Sequence, residues 1–247
     1  MRLTVLGGCG AWPEAGQACS GYLLEHDGYR LVIDLGYATL PRLLEHTSAA
    51  GVDAVLISHG HPDHCADLNP LLRARALPEH PAPALPVYAL PGALDAVLAL
   101  DRPEMLDGAI DLGEIRPAGR LRTGPFSVTA TLLPHWLPNA GMRIEAGGSV
   151  LAYTGDSGAV PQIAGLARGA GLLLAEATYA DRVPGSSVGY LSSARDAGRH
   201  AELAGAGALA LTHLWPGTDH DVAASFARES YSGQVDVASA GMVFDVG

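Results

Sequence analysis

The chain reads as a layered α/β protein, two β-sheets with helices packed outside them. Three observations predict that class. Short apolar runs of strand length alternate with segments whose apolar residues recur at helical spacing. The two halves share a rough rhythm, β-rich first and then β alternating with α. The histidines and aspartates that could carry chemistry follow directly after apolar runs, at the strand ends where layered α/β folds collect ligands.

A chain of 247 residues fits one domain spanning 1–247, large enough to bury its apolar surface without disulfide staples. No stretch supplies the ~18 uninterrupted apolar residues that a membrane span needs. Met1 runs straight into a strand pattern with no secretory signal. The formal charge is −11 and the basic residues are all arginine, so the surface repels a nucleic-acid backbone. A small phosphodiester is not excluded, because a bound metal would dominate the local field. Cys9, Cys19 and Cys65 form no paired-thiol motif, which fits a reducing, cytoplasmic setting. Cys65 reads as a small packing residue beside the histidines.

The elements follow in order. Residues 3–6 form a strand that breaks at Gly7-Gly8-Cys9-Gly10, a turn bordering the site and not a dinucleotide fingerprint, since no helix follows. Residues 20–25 and 29–34 pair as a hairpin about Asp27-Gly28. Asp34 ends that hairpin, where it either orients a metal ligand or serves the turn. A helix is expected over residues 41–50, a strand over 53–57, and a helix from 68 to 77, where Pro78 ends it. Residues 78–86 are a proline-rich surface connection carrying an exposed His80. Strand and helix come again at 87–90 and 93–100, then strands at 110–112 and 126–133. A hairpin about Gly147-Gly148 joins 142–146 to 150–153 and delivers Asp156. A helix at 161–168 precedes the buried strand Leu172-Leu173-Leu174-Ala175, which ends in Glu176. Residues 180–189 are a loop; Ser192-Ser193 cap a helix at 194–204, on which His200 reads as a surface residue. The strand 208–211 ends at His213, a helix starts at Asp219 or His220, and strands at 235–238 and 242–246 close the chain.

Ser58-His59-Gly60-His61-Pro62-Asp63-His64 concentrates three imidazoles and a carboxylate in one loop. His59 and His61 alternate along extended backbone and leave on one face. Imidazole suits zinc, and the plain alternative is a solvated histidine-rich loop without metal. With His135, Asp156 and His213 added, the set supplies the ligands that two divalent ions about 3.5–4 Å apart require.

His59-Gly60-His61-Pro62-Asp63-His64 followed by His135, Asp156 and His213 resembles the metallo-β-lactamase superfamily along almost the whole chain. The resemblance implies a four-layer αββα sandwich. It implies one zinc on His59, His61 and His135, a second on Asp63, His64 and His213, and Asp156 bridging them; manganese or ferrous iron are alternatives to zinc. Glu176-Ala177-Thr178-Tyr179 is similar to the short-form ribonuclease Z and phosphodiesterase branch, where a histidine before a Ser/Thr pair works with the glutamate to protonate the leaving oxygen. This chain departs there with Tyr190-Leu191-Ser192-Ser193, which makes Tyr190 the candidate donor, a weaker acid than imidazolium. Too few positions separate His135 from Asp156 to build the protruding arm that grips transfer RNA.

The expectation is a dizinc hydrolase cleaving a small phosphodiester, a cyclic nucleotide or related ester, by metal-bound hydroxide, with Asp63, Glu176 and Tyr190 as catalytic candidates. The alternatives are a lactone or thioester hydrolase of the same fold and a non-catalytic metal-binding protein. A small-molecule substrate is expected, with no nucleic-acid or membrane partner; a homodimer is an expectation carried by the resemblance alone.

Overall fold

Runs such as Leu172-Leu173-Leu174-Ala175 are apolar at every position because each strand is covered on both faces. Leu172 and Leu174 point into a layer between two sheets, whereas Leu173 and Ala175 point into a layer under helices. The computed structural model describes residues 1–106 and 108–247.

The described residues form fourteen strands. They are β1 (Arg2–Gly7), β2 (Gly21–His26), β3 (Tyr29–Leu35), β4 (Ala54–Leu56), β5 (Leu85–Ala89), β6 (Ile110–Glu114) and β7 (Arg120–Thr123), then β8 (Phe126–Leu133), β9 (Asn139–Ala146), β10 (Ser149–Tyr153), β11 (Leu172–Glu176), β12 (Ala208–Thr212), β13 (Gln234–Val237) and β14 (Val243–Asp245). The helices are α1 (Thr39–Leu43), α2 (Pro62–Cys65), α3 (Leu68–Ala76), α4 (Asp95–Leu98), α5 (Gln162–Leu166), α6 (Ala194–Ala204) and α7 (His220–Arg228).

One seven-stranded sheet runs β14-β1-β2-β3-β4-β5-β6 and the other β13-β12-β11-β10-β9-β8-β7. In the first, pairing is antiparallel from β14 to β3 and parallel from β3 to β6. The second repeats this, antiparallel from β7 to β10 and parallel from β10 to β13. The shared rhythm of the two halves is therefore a repeated sheet pattern. Leu24, Ile33, Phe126, Met142, Ile144 and Leu174 belong to the layer between the sheets. Leu43, Leu68 and Leu72 pack on the outer face of the first sheet, and Ile163, Ala197 and Ala227 on that of the second. The result is helix, sheet, sheet, helix: the expected αββα sandwich. No helix among the described residues is long and apolar enough to cross a membrane.

Local differences from the sequence expectation have physical causes. The helix expected over 41–50 ends at Leu43, and a separate 3-10 turn, Ala49–Gly51, begins where the Ser48 side chain accepts the Gly51 N–H. Residues 93–100 hold only the single turn α4. Strand β7 went unpredicted because Arg-Leu-Arg-Thr carries little apolar signal and lies at a sheet edge.

Candidate metal centre

The site lies where β4, β8, β10 and β12 hand over to loops, so it draws side chains from both sheets. Past β4 the chain bends at Ser58 and Gly60, so the straight extended run expected for His59 and His61 is broken; His61 is extended (φ −70°, ψ 143°), and Pro62 then opens the helical turn α2. That switch brings Asp63 and His64 back toward His59. Pro134 and His135 follow β8, Asp156 follows β10, and His213 follows β12 in a left-handed backbone conformation (φ 58°). Ligand-type atoms converge in two overlapping groups: His59, His61, His135 and Asp156, and Asp63, His64, Asp156 and His213. All seven residues expected from the sequence are brought together, and Asp156 belongs to both groups.

Hydrogen bonds fix which ring nitrogens are free. His135 Nδ1 is 2.8 Å from the Tyr190 carbonyl oxygen, an acceptor only, so Nδ1 carries the proton and Nε2 is bare. The Ser58 hydroxyl donates to Asp34 at 2.7 Å, so the His59 Nδ1 that meets it at 3.1 Å must donate in turn. His64 Nδ1 donates to Asp34 at 2.8 Å. The Thr178 hydroxyl donates to Glu176 at 2.6 Å and accepts from His213 Nδ1 at 2.9 Å. Each of these four imidazoles therefore turns Nε2 inward.

The inward atoms are close and poorly satisfied. His61 Nδ1 lies 3.1 Å from His59 Nε2 and 3.0 Å from His135 Nε2, a trio of nitrogens with too few protons to go round. A tetrahedral ion with metal–nitrogen bonds of about 2.0–2.1 Å would set such nitrogens about 3.3 Å apart. His64 Nε2 and Asp156 Oδ1 are buried and lack hydrogen-bond partners; they stand 3.2 Å apart, within ion-pair range but misaligned for a hydrogen bond. His213 Nε2 sits 3.1 Å from Asp63 Oδ2 and 3.1 Å from Asp156 Oδ2, a position that demands a second proton or a cation. The donor set fits divalent metal.

Electrostatics agree. Burial, and then the charge of His64, hold His59 well below the usual imidazole range; burial also lowers His61 and His135. Burial pushes the Asp63 and Asp156 carboxyls up, but the hydrogen bond or charge of His213 and the charge of His64 outweigh it and hold both low. Burial pulls His64 and His213 down, yet the carboxylates around them win and raise both. Positive charge at His64 and His213 thus faces the two carboxylates, the position a bound cation would take over from those protons.

Glu176 stands one hydroxyl away from this set. Its carboxylate accepts from the Ser157, Thr178 and Ser192 N–H groups and from the Thr178 hydroxyl. Burial, and then the charge of Asp156, push it up to about 7. Tyr190 gives its carbonyl to His135 while its ring stacks on Trp136, with centroids 5.2 Å apart. Asp34 resolves in favour of orienting a ligand: besides His64 it takes the Ser58 N–H and hydroxyl and the Tyr153 hydroxyl. The glycine turn after β1 does border the site, since the Ala11 N–H donates to Asp63 at 2.8 Å and any Cβ at Gly10 would collide with the His213 ring. Cys65 is buried and unpaired, its thiol donating to the His61 carbonyl. The expectation for His200 is corrected: it is 9% exposed, because its side chain faces a small enclosed hollow shared with Ile163 of α5 and with Ala175 and Glu176 of β11. Thr178 and Ser58 were missed as partners; the sequence signal for Thr178 was its place after Glu176.

A cleft of about 360 Å³ opens over His61, Asp63, His135, Asp156 and His213, walled by Tyr37, Trp136, Tyr179, Leu191 and Trp215. A larger hollow, about 720 Å³, lies beside Arg182, Arg195 and Arg199. None of the clustered ligand residues lines it, and its arginines already face Asp181, Asp196 and Glu229, so the smaller cleft is the functional candidate.

Residues 29–214 match the family model described as the beta-lactamase superfamily domain. The chain is 34% identical over 251 residues to the probable metallo-hydrolase YhfI of Bacillus subtilis, covering 99% of this chain and 100% of that protein. The crystal structure of YhfI, a metallo-beta-lactamase fold protein, matches with a TM-score of 0.90 at 33% identity, covering 98% of each chain. Ribonuclease Z of Mycobacterium bovis is 29% identical over 268 residues, covering 96% of this chain and 95% of that one.

Proposed function

Because the chain belongs to the metallo-β-lactamase superfamily, and is on that footing a metal-dependent hydrolase, we propose that it is a two-metal enzyme cleaving a small phosphodiester, such as a cyclic nucleotide. The observation that carries the proposal is the pair of overlapping ligand groups sharing Asp156. His59, His61 and His135 would hold one ion and Asp63, His64 and His213 the other, with zinc the metal best suited to this imidazole-rich set. Two divalent ions supply Lewis acidity toward phosphoryl oxygens and make water acidic enough to act as a nucleophile near neutral pH.

The chain's own groups do the positioning. Asp34 and Ser58 fix the His64 and His59 rings, and Thr178, anchored on Glu176, fixes His213. Asp63, steadied by the Ala11 N–H, stays ionised and can also accept a hydrogen bond from the attacking water. Glu176 acts through Thr178 and is a positioning residue. Tyr190 does not line the cleft, and its ring reaches it only through the stacked Trp136; substituting Phe for Tyr190 tests whether its hydroxyl donates the proton to the leaving oxygen. The ribonuclease Z relative, whose name denotes a phosphodiester substrate, supports this bond class over a carboxylic ester.

Metal analysis alongside a substrate screen tests the reading. The purified protein should hold two ions per chain and hydrolyse bis(p-nitrophenyl) phosphate or cyclic nucleotides, and His61→Ala should lower the rate more than about a hundredfold. Faster turnover of lactones or thioesters would transfer the assignment to carboxylic esters. A chain that takes up no transition metal after reconstitution would overturn it.

A further inference from the structure

All three tryptophans of the chain stand within two positions of residues that build the site: Trp12 after Ala11, Trp136 after His135, and Trp215 after His213. Trp12 and Trp136 are each 51% exposed, although indole is a side chain that folding normally buries. Their packing is ordered. Trp136 lies against Tyr190 with ring planes 16° apart and meets the His135 ring edge-on. Trp215 is backed by Trp12 at 4.9 Å and by Tyr179 at 6.4 Å. The cleft thus has one indole plate on its His135 side, the exposed Trp136, and another on its His213 side, the half-buried Trp215.

The charge of the same cleft is equally specific. The chain contains no lysine, and among the described residues no arginine lines the cleft. Cations that would neutralise an anionic substrate there are limited to those held by the histidines and aspartates. A second phosphate lying outside the metal centre would meet aromatic walls and an acidic protein, with no partner for its charge.

We infer that the cleft selects a phosphodiester carrying a single negative charge, at the bond to be cleaved, and a flat ring that stacks on Trp136 and Trp215. This rests on the two-metal phosphodiesterase reading and narrows it: nucleoside polyphosphates, oligonucleotides and aliphatic diesters are poor substrates. The two indoles are specificity-determining residues. The volume of about 360 Å³, at the small end of ligand pockets, suits one nucleoside-sized molecule.

The test uses three substrates with one scissile ring: adenosine 2′,3′-cyclic phosphate, the abasic ribose cyclic phosphate, and the adenosine compound bearing a 5′-phosphate. Stacking of a base on an aromatic residue corresponds to about 5–150-fold in affinity. The abasic compound should therefore show a KM about tenfold or more higher at similar kcat. The 5′-phosphate should raise KM as well, most steeply at low salt. Trp136→Ala and Trp215→Ala should collapse the KM ratio between the base-bearing and abasic compounds, and Trp136→Phe should restore much of it; metal content measured on each variant shows whether the centre is intact. Independently of turnover, adenosine should quench tryptophan fluorescence of the metal-free protein saturably, and more weakly in Trp136→Ala. Equal KM values for all three compounds, or tighter binding of the 5′-phosphorylated one, would overturn the inference while leaving the phosphodiesterase reading in place. If no diester is cleaved, the phosphodiesterase reading falls and the adenosine titration alone decides whether the indoles bind a flat ring.

Discussion

Asp34 sits fully buried in a left-handed backbone conformation (φ 55°) that aspartate tolerates better than most residues, and its carboxylate ties down four donors from three segments. Asp34→Ala leaves the Ser58 N–H and hydroxyl, His64 Nδ1 and the Tyr153 hydroxyl without their acceptor. We expect a loss of about 3–5 kcal/mol in urea unfolding and metal affinity about 10–100-fold weaker by competitive chelator titration. Unchanged values in both measurements would remove Asp34 from the centre's support. Thr178→Val keeps shape but removes the hydroxyl between Glu176 and His213; it should weaken metal binding about tenfold or more with the fold retained by circular dichroism. His200 makes a pH prediction. Burial lowers its pKa, more than the neighbouring Asp196 raises it, and Arg199 lowers it further. The folded protein therefore resists a proton that the unfolded chain accepts near pH 6.5 and below. That stability is present above this range and lost as pH falls through it. His200→Leu should flatten the fall in urea midpoint between pH 8 and pH 5 relative to the native chain, and an identical pH slope in the two proteins would refute the assignment.

Among the elements, α6 shows how local chemistry reaches the site. Ser193 and Asp196 form a reciprocal capping box, and Gly205 ends the helix in a left-handed turn. The same start places the Ser192 N–H on Glu176. Ser193→Ala should lower stability by about 1 kcal/mol in thermal or urea melts and loosen the Glu176 anchor with it. Gly198 lets α6 approach α7 closely, since a Cβ there would lie 2.3 Å from the Ala227 carbonyl oxygen. This element was readable in the sequence from the serines that cap it. So were the hairpins at Asp27-Gly28 and Gly147-Gly148, whose turn chemistry is local. The ligand residues were readable for a different reason: their types crowd one loop and recur after strands. What sequence did not disclose were contacts made across the fold. Asp34 meets His64 thirty residues on, and Thr178 meets His213 thirty-five residues on, and no local pattern marks either pair. The burial of His200 is not legible because a polar residue at one helix position does not say which face will pack against a neighbouring helix and sheet, here α5 and β11.

Across the whole molecule, four of the site residues follow β4 in one sheet and three follow β8, β10 and β12 in the other. Metal that binds only the folded state adds about 2.7 kcal/mol of stability at one hundred times its dissociation constant. Stripping the protein with chelator should therefore lower its melting temperature, and zinc should restore it; a melt indifferent to both would argue against the centre. Between the sheets lies a layer of leucine, isoleucine, methionine and aromatic side chains, whose attraction has no preferred direction. Such a layer holds two sheets together without fixing how far one is offset along the other. The ligand set does fix it, because shifting one sheet by an ångström would pull His213 and Asp156 away from Asp63 and His64. Metal occupancy is then a vernier for sheet alignment. Substitutions deep in the inter-sheet layer, at Met142 or Ile144 for instance, should register as lost zinc well before they register as lost secondary structure.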